Sequence, residues 1–250
     1  MFELIDVTKR YGDAEVIKPV SLDFPEGETT ALIGTSGSGK TTLMRMLIGL
    51  VWPDSGSVLF NGNPVGTDNV REVRHHVGYV VQAGGLFPHM TAGENVSLMA
   101  RQLGWGTARV RERTAQLADL THMSVELMSR YPRELSGGQQ RRVSLMRAMM
   151  MDPDALLLDE PLGALDPMVR YELQGDLKEI FLNLDKTVVL VTHDLAEAFY
   201  FAHRLVLVSG GEVVQKGTAE AFLRHPANDF VERFMRAQRP PVGLFDGVGS

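Results

Sequence analysis

Hydrophobic positions change their spacing twice along this chain, and the changes divide it into three parts. In the first third, short apolar runs bounded by turn residues predict strands. These runs cover residues 2–8, 20–24, 29–34, 56–62 and 76–82. From about Glu94 to Met151, apolar residues recur at three and four positions while Arg and Glu occupy the other faces, which predicts a block of helices.

The pattern of the last third returns to strands. The runs ALLLD at 155–159 and TVVLVTHD at 187–194 are almost continuously apolar, and each precedes a helical pattern. This succession is typical of parallel strands covered on both faces. A hairpin or meander is predicted at 205–217, the last helix is predicted to end near Arg236, and a loosely ordered end is expected beyond it.

Composition narrows the possible classes of function. The 250 residues are 44% hydrophobic and 22% charged, and the net charge of -6 lacks the basic excess of a nucleic-acid-binding protein. The chain has no cysteine, which excludes disulfides and thiolate chemistry, and its N-terminus lacks the apolar core of a signal peptide. No run has the length of a membrane span. We therefore expect a cytoplasmic protein without a nucleic-acid partner, which meets a membrane only through another protein.

The stretch Leu32–Leu47 combines glycines, hydroxyl residues and one lysine at the start of a helical pattern. It contains G-x-x-x-x-G-K-[ST] between an apolar strand and a helix, which is the context of a phosphate-binding loop. In such a loop, backbone N–H groups surround the phosphates, the lysine reaches the β and γ phosphates, and the threonine hydroxyl ligates magnesium. The predicted contacts to a nucleoside triphosphate are Gly34, Thr35, Ser36, Gly37, Ser38, Gly39, Lys40, Thr41 and Thr42. A glycine turn that only begins a helix is the alternative.

Two adjacent carboxylates lie at the C-terminal end of the apolar run 155–159. Ligands of open α/β sheets bind at the carboxyl ends of the strands, which is where Asp159 and Glu160 are predicted to lie. We assign Asp159 to magnesium and Glu160 to the base that orients and polarises the attacking water. The two side chains are expected to point apart because neighbours on a strand alternate. Two solvated acids at a strand end are the alternative.

The stretch LSGGQQRR, Leu135–Arg142, forms a second predicted anion-binding helix N-terminus at Ser136, Gly137 and Gly138. The phosphate-binding loop at residues 34–42, called the cradle below, is the one such loop that the sequence predicts, so no phosphate bound by the same chain remains for this second helix N-terminus. An ordinary capping turn is the alternative. The stretch resembles the signature of ATP-binding cassette (ABC) ATPases. In that family two protomers pair head to tail, and each signature closes over the ATP held by the other protomer's cradle.

The resemblance runs from about Phe2 to Phe234 and implies a fold. It implies an α/β protein with a P-loop NTPase (RecA-like) core, an N-terminal antiparallel β-subdomain and an inserted α-helical subdomain. The expected core comprises residues 1–87 and 152–236, the signature subdomain residues 88–151, and the tail residues 237–250. ATP hydrolysis with Mg2+, in a homodimer or a pair of cassettes with shared nucleotide sites, is the implied activity.

Further site residues come from the resemblance alone. Tyr11 matches the aromatic residue that stacks on adenine, and Gln139 belongs to the signature that meets the partner's nucleotide. Gln82 matches the glutamine that contacts magnesium and the attacking water, and His193 matches the histidine that contacts the γ-phosphate. Asp166 matches the loop that crosses the dimer interface, although many members have serine where this chain has Gly163, which leaves the interface contacts at Gly163 open.

In transporters of this kind a membrane subunit docks beside the glutamine loop. Leu86, Phe87 and Met90 lie in that segment and fit either a surface for a cytoplasmic helix of a permease or a loop that closes the core. Four stretches resemble the ATPase subunits of importers for quaternary amines such as glycine betaine, choline and carnitine. They are LIGTSGSGKTTLMRMLIGL, GLFPHMTAGENV, RYPRELSGGQQRRV and HPANDFVERFM.

The resemblance to these importers implies permease subunits, an external solute-binding protein and a position on the inner face of the cell membrane. Many such subunits carry a C-terminal pair of regulatory domains, for which this sequence has no room. We therefore expect regulation to lie elsewhere, or the resemblance to extend only to the wider importer group. An importer of another solute, an exporter subunit and a soluble ABC ATPase are the alternatives.

Overall fold

The larger of two β-sheets places the carboxyl ends of five parallel strands at one edge. The computed structural model describes residues 1–82, 84–163, 165–184 and 186–237, with only the backbone at 182–184. In this sheet the strand order is β10-β9-β3-β8-β7-β6, and all neighbours are parallel except the β9–β10 hairpin. The strands are β3 (Thr29–Ile33), β6 (Val77–Val80), β7 (Ala155–Asp159), β8 (Thr187–Val191), β9 (Arg204–Ser209) and β10 (Glu212–Gly217).

The smaller sheet is antiparallel, with the order β2-β1-β4-β5. Its strands are β1 (Phe2–Tyr11), β2 (Ala14–Phe24), β4 (Ser55–Phe60) and β5 (Asn63–Pro64). β1 and β2 are longer than the apolar runs predicted, because their polar ends pair as a hairpin in which Lys9 opposes Ile17 and Arg10 opposes Glu15. Alternation is interrupted in β1 by an irregularity at Asp6, whose φ is 47°. The short β5 has no apolar signal and was not predicted.

Nine helices are found in the described part of the chain. They are α1 (Lys40–Leu47), α2 (Val70–His75), α3 (Ala92–Gln102), α4 (Thr107–Leu120), α5 (Gly137–Met149), α6 (Pro167–Leu184), α7 (Leu195–Phe201), α8 (Ala219–Arg224) and α9 (Asp229–Ala237). Short 3₁₀ turns cover Val125–Ser129 and Pro132–Glu134. α3, α4 and α5 lie inside the predicted insert 88–151, whose boundaries remain a prediction.

The hydrophobic core covers both faces of the large sheet. On β7, Leu156 and Leu158 pack with α3 to α6, whereas Leu157 faces the cluster shared with α1 and the small sheet. A third cluster packs α7, α8 and α9 against β3 and β9. β3, β7 and β8 are buried along their whole length, which explains their continuous apolar sequences. Polar side chains can therefore be placed at the edge of the sheet formed by the carboxyl ends of these strands.

An ion-pair cluster ties the small sheet to the large one. Asp23 of β2 accepts hydrogen bonds from Arg204 of β9 at 2.7 Å and from Lys216 of β10 at 3.0 Å. The Arg204 hydrogen bond lowers the pKa of Asp23 to about 2. The β1–β2 hairpin is therefore fixed to the sheet that carries the candidate cradle.

The last helix ends at Ala237, one residue beyond the predicted end near Arg236. The predicted loose tail from 238 onward lies outside the described residues. No helix in the described ranges combines the length and the hydropathy that a membrane crossing requires.

Candidate active site

The cradle joins β3 to α1, and its backbone requires glycine at two close approaches. Gly34 has φ 143°, and a Cβ there would lie 2.1 Å from the carbonyl oxygen of Val208. Gly39 has φ 107°, and a Cβ there would lie 2.4 Å from Cδ1 of Ile17 on β2. α1 starts at Lys40, so its first N–H groups, which have no partner within the helix, face the loop. The loop therefore offers a cluster of backbone donors of the size of a phosphate group.

Lys40 is held inside this loop rather than extended into solvent. Its ammonium donates to the carbonyl oxygens of Gly34 and Thr35, both at 2.8 Å, and the residue is only 6% exposed. Burial lowers the pKa of the Lys40 ammonium, while Glu160 and Asp159 oppose that shift. Within the described ranges no carboxylate lies within 4.0 Å of this ammonium. The cation is thus desolvated and available to an anion in the cradle.

Asp159 ends β7 directly beside α1. Its Oδ1 accepts a hydrogen bond from the Thr41 hydroxyl at 2.9 Å. Its Oδ2 is buried and has no hydrogen-bond partner among the described residues, although Nη2 of Arg45 lies 3.9 Å away. Burial raises the pKa of the Asp159 carboxyl, and the Thr41 hydrogen bond and Arg45 partly offset this.

An orphaned buried carboxylate oxygen next to a threonine hydroxyl fits the hard oxygen ligands that Mg2+ prefers. No group of three or more metal-binding carboxylates and histidines occurs in the ranges that the structure describes. Mg2+ is commonly bound by one or two protein ligands with phosphate oxygens and water completing the shell. Thr41 and Asp159 together fit that role.

Glu160 connects three segments at the carboxyl edge of the sheet. Its Oε2 accepts a hydrogen bond from Nε2 of Gln82 at 2.9 Å, and its Oε1 lies 3.3 Å from Nδ1 of His193. Its backbone N–H donates to the carbonyl of Val191 at 2.9 Å. Residues from the ends of β6, β7 and β8 are thereby brought together.

The orientation of Glu160 does not arise in the way that the sequence suggested. β7 ends at Asp159, and Glu160 follows it with φ 47°, a left-handed conformation rare outside glycine. Asp159 and Glu160 have different partners, and alternation along β7 does not determine the direction of Glu160 because this residue lies beyond the strand. Such residues cluster at active sites, and the same conformation also occurs at Asp6, outside the candidate site.

A cavity of about 270 Å³ unites the cradle with these catalytic candidates. It is lined by Val16, Ser36, Gly37, Ser38, Gly39, Lys40, Thr41, Thr42, Gln82 and Glu160. Val16, on the β1–β2 hairpin, was missed in the sequence, where one valine in a polar stretch gives no signal. Tyr11 is the last residue of β1, next to the turn of the same hairpin; it is 52% exposed, with the Lys9 ammonium 5.6 Å from the centre of its ring. It is therefore accessible for stacking.

The signature residues lie outside this cavity. Ser136 is the N-cap of α5: its Oγ accepts from the N–H of Gln139 at 3.3 Å, and its own N–H donates to Oε1 of Gln139 at 3.0 Å. Ser136 and Gly137 are exposed, while Gly138 packs so closely on α6 that a Cβ would lie 2.7 Å from Val169. Helix α5 thus presents an accessible N-terminus that does not line the cavity of its own cradle.

The loop between Glu160 and α6 is anchored at both ends. The N–H of Gly163 donates to the carbonyl of Glu160 at 3.1 Å, and Oδ1 of Asp166 accepts from the N–H groups of Met168 and Val169, both at 3.1 Å. Asp166 therefore caps α6 in this structure. A Cβ on Gly163 would lie 3.4 Å from its nearest neighbours, an ordinary contact, so the absence of serine there has no steric reason.

A groove of about 330 Å³ lies beside the glutamine loop. It is lined by Arg74, His75, Val77, Gly78, Tyr79, Val81, Gly85, Phe87, Leu98, Met99, Arg147, Ala148, Met151 and Pro153. Phe87 is 41% exposed in this groove, whereas Leu86 packs against the core cluster of the insert. The two interpretations of the loop therefore apply to different residues: Leu86 closes the core and Phe87 faces the groove.

The fold and the cavity define an α/β protein with a phosphate-binding loop, a magnesium-compatible carboxylate and a second carboxylate oriented by glutamine and histidine. A sequence profile described as "ABC transporter" matches residues 17–163. The chain belongs to the ABC transporter family, as an ATP-binding cassette.

Individual relatives agree with this assignment. The glycine betaine/carnitine/choline transport ATP-binding protein OpuCA of Bacillus subtilis is 44% identical over 96% of this chain, which spans 63% of that relative's length. The sulfate/thiosulfate import ATP-binding protein CysA of Bradyrhizobium diazoefficiens is 42% identical over 98% of the chain and 72% of its own length. The dimeric, post-hydrolysis structure of the cassette MJ0796 with ADP and phosphate matches with a TM-score of 0.79 and 31% identity, over 87% of this chain and 98% of that one.

Proposed function

We propose that this chain is the ATP-hydrolysing subunit of an ABC importer, acting as a head-to-tail homodimer on the cytoplasmic face of a membrane. The observation that carries the proposal is the single cavity in which Lys40, Gln82 and Glu160 meet. Lys40 of the cradle, which would bind phosphate, lies there with Gln82 and the proposed base Glu160, which follow the ends of β6 and β7. The chain's own residues therefore supply every protein group that phosphoryl transfer from ATP to water requires on one side of the nucleotide.

Each group has a distinct role in the proposed reaction. The backbone donors and Lys40 hold the β and γ phosphates, and Tyr11 stacks on the adenine. Glu160, oriented by Gln82 and His193, accepts the proton of the water that attacks the γ-phosphorus. His193 is 57% exposed, so its ring can turn to contact the γ-phosphate. Mg2+ held by Thr41, Asp159 and Gln82 would neutralise charge on the phosphate oxygens.

The signature helix supplies the argument for two copies. Its exposed N-terminus at Ser136 and Gly137 is an anion-binding end without a phosphate site in its own cavity. In a head-to-tail pair, the N-terminus of α5 on one copy completes the cradle of the other copy. Gln139 and Asp166 lie beside this N-terminus. Closure on ATP and reopening after hydrolysis would then convert chemical free energy into movement.

Ser136→Ala is expected to abolish most hydrolysis while each protomer still binds ATP, because the donor and cap that it removes serve the partner's nucleotide. Mixed with Lys40→Ala, it should restore at most one of two composite sites. Steady-state hydrolysis and binding of a fluorescent ATP analogue measure both effects. Thr91→Ala, which removes the equivalent capping box from α3, is the control for lost helix capping alone. Full activity in the mixture, or an equal loss in Thr91→Ala, would contradict completion by the partner.

The groove beside the glutamine loop is the proposed docking site for the membrane subunit. It combines apolar side chains, Phe87, Leu98 and Met99, with the cations Arg74 and Arg147. Such a surface fits a short amphipathic helix with an acidic side chain. Because Val81 also lines the groove directly before Gln82, a docked helix lies next to the residue that contacts Glu160.

The transported solute is proposed to be a quaternary-amine osmoprotectant, delivered by an external binding protein. The Bacillus relative is named for the transport of glycine betaine, carnitine and choline. A relative named for sulfate and thiosulfate import is almost as similar. Since one solute class is cationic or zwitterionic and the other anionic, similarity of the cassette supports import more strongly than it supports any one solute.

Uptake into proteoliposomes tests the proposal. Vesicles containing this chain, its native membrane partner and the external binding protein should accumulate labelled glycine betaine or choline when ATP is inside, and should not accumulate sulfate. The Glu160→Gln variant should lose this uptake. Hydrolysis without accumulation of any of these compounds would keep the ATPase assignment and reject the osmoprotectant, leaving another solute or export. No hydrolysis at all in the complete system would reject the enzyme itself.

A further inference from the structure

One face of the signature helix α5 carries a row of hydrogen-bond donors. Arg141, Ser144 and Arg147 are spaced three residues apart, so their side chains share that face. Ser144 Oγ donates to the carbonyl of Gly84 at 2.8 Å, and Arg147 donates to the carbonyls of Gly84 at 3.1 Å and Gly85 at 2.7 Å. The loop that follows Gln82 is therefore attached to α5 by hydrogen bonds to its backbone carbonyls.

Arg141 differs from the other two because it holds two loops at once. Its Nη1 donates to the carbonyl of Val81 at 3.2 Å, and its Nη2 donates to the carbonyl of Gly163 at 3.3 Å. Val81 directly precedes Gln82, and the N–H of Gly163 donates to the carbonyl of Glu160. One guanidinium thus spans the backbones on either side of the Gln82–Glu160 hydrogen bond.

The surroundings of this guanidinium favour a positioning role over an ion pair. No carboxylate of the described ranges lies within 4.0 Å of Arg141, and burial lowers its pKa. A desolvated cation held only by carbonyls is stabilised by the geometry of its donors, and the planar fork of arginine suits two acceptors in fixed positions. Lysine, with one nitrogen, cannot reproduce this arrangement at equal geometry.

We propose that Arg141 is a positioning residue for ATP hydrolysis, which fixes the Gln82 loop and the Glu160–Gly163 loop relative to each other and to the signature helix. The inference rests on the proposed function. It adds that the helix whose N-terminus meets the partner's nucleotide also sets the geometry of the base in its own protomer. A movement of α5 would then be transmitted to Gln82 and Glu160 without passing through the nucleotide.

The test compares kcat and KM for ATP hydrolysis between Arg141→Met and the wild type, each assembled with the native membrane partner. Loss of the double contact should lower kcat by roughly 10-fold to 100-fold, because small displacements of reacting groups have effects of that size. KM for ATP and the Kd of a fluorescent ATP analogue should stay within about twofold, because Arg141 does not line the nucleotide cavity. Arg141→Lys should give an intermediate kcat.

Arg113→Met is the matched control. Arg113 of α4 donates to the carbonyl of Met149 at the far end of α5 at 3.0 Å and lies 3.5 Å from Asp152, away from both loops. Its loss should lower the Tm but leave the kcat of the folded protein near that of the wild type. A wild-type kcat in Arg141→Met, or an equal kcat loss in Arg113→Met, would overturn the positioning role. If Arg141→Met does not fold, Arg141→Lys decides: a wild-type kcat there overturns the role, and a reduced kcat at unchanged KM supports it. Wild-type protein without hydrolysis would instead reject the proposed function.

Discussion

Glu160→Gln is expected to lower kcat for ATP hydrolysis by at least about 100-fold, the usual effect of losing a general base, while ATP binding is retained. Glutamine has the same size and still offers an oxygen to Gln82, but its amide cannot take a proton from the attacking water. It also removes a negative charge beside the predicted position of the γ-phosphate, so the Kd for ATP should stay unchanged or fall. Steady-state hydrolysis and equilibrium binding of a fluorescent ATP analogue measure the two quantities.

The same variant should accumulate as an ATP-bound dimer, because closure needs ATP and reopening needs hydrolysis. Size-exclusion chromatography with Mg2+ and ATP would detect it. Glu172→Gln is the matched control, since it removes the same charge from an exposed position on α6. Unimpaired steady-state hydrolysis in Glu160→Gln would mean that another group is the base. His193, 3.3 Å from Glu160, would then be the next group to test.

The sequence predicts those parts of the fold in which burial dictates residue type. β7 and β8 are apolar throughout because both faces of the large sheet are covered, so their sequences alone identify them. The polar end of β1 could not be predicted in this way, because Lys9 and Arg10 extend an exposed hairpin whose pairing partner is needed to form it. Local pattern therefore gives the core strands and misses edges that depend on tertiary pairing.

The residues of the candidate site also fall into two groups: those encoded by a continuous motif and those brought together only by the folded chain. The spacing in Gly34–Thr41 suffices for the cradle, because a continuous motif encodes its backbone. The contact between Gln82 and Glu160 joins residues 78 positions apart, and only the family resemblance brought them together. Arg141 was not predicted because an arginine in a helical pattern usually marks a solvated face. The spacing of Arg141, Ser144 and Arg147 was the available signal, but its acceptors are backbone carbonyls, which no sequence displays.

Lys40→Ala is expected to weaken ATP binding by at least about two orders of magnitude, because charge-assisted hydrogen bonds contribute about 1.5–3 kcal/mol each and the ammonium serves two phosphates. The ATP-induced rise in thermal stability should shrink accordingly: a hundredfold loss of affinity removes about 2.7 kcal/mol of ligand stabilisation. Titration of a fluorescent ATP analogue and thermal melts with and without ATP measure both effects. Lys178→Ala, whose ammonium donates to the carbonyl of Tyr200, is the matched control for loss of a lysine elsewhere.

Lys40→Ala should change the Tm of the nucleotide-free protein less than it changes the Tm of the ATP-bound protein. Lys40 is buried against two carbonyls without a carboxylate within 4.0 Å in the described ranges, and burial lowers its pKa, so the folded protein bears a desolvation cost that the bound phosphates would relieve. Removing the cation removes that cost together with the two hydrogen bonds. The Tm without ATP should therefore change little, although the Tm with ATP falls.

A large fall of the Tm without ATP would mean that Lys40 chiefly stabilises the structure of the loop. Unchanged ATP affinity would mean that the backbone donors hold the phosphates alone. Because Glu160→Gln is expected to keep binding and lose turnover, the two variants together separate the cradle from the base.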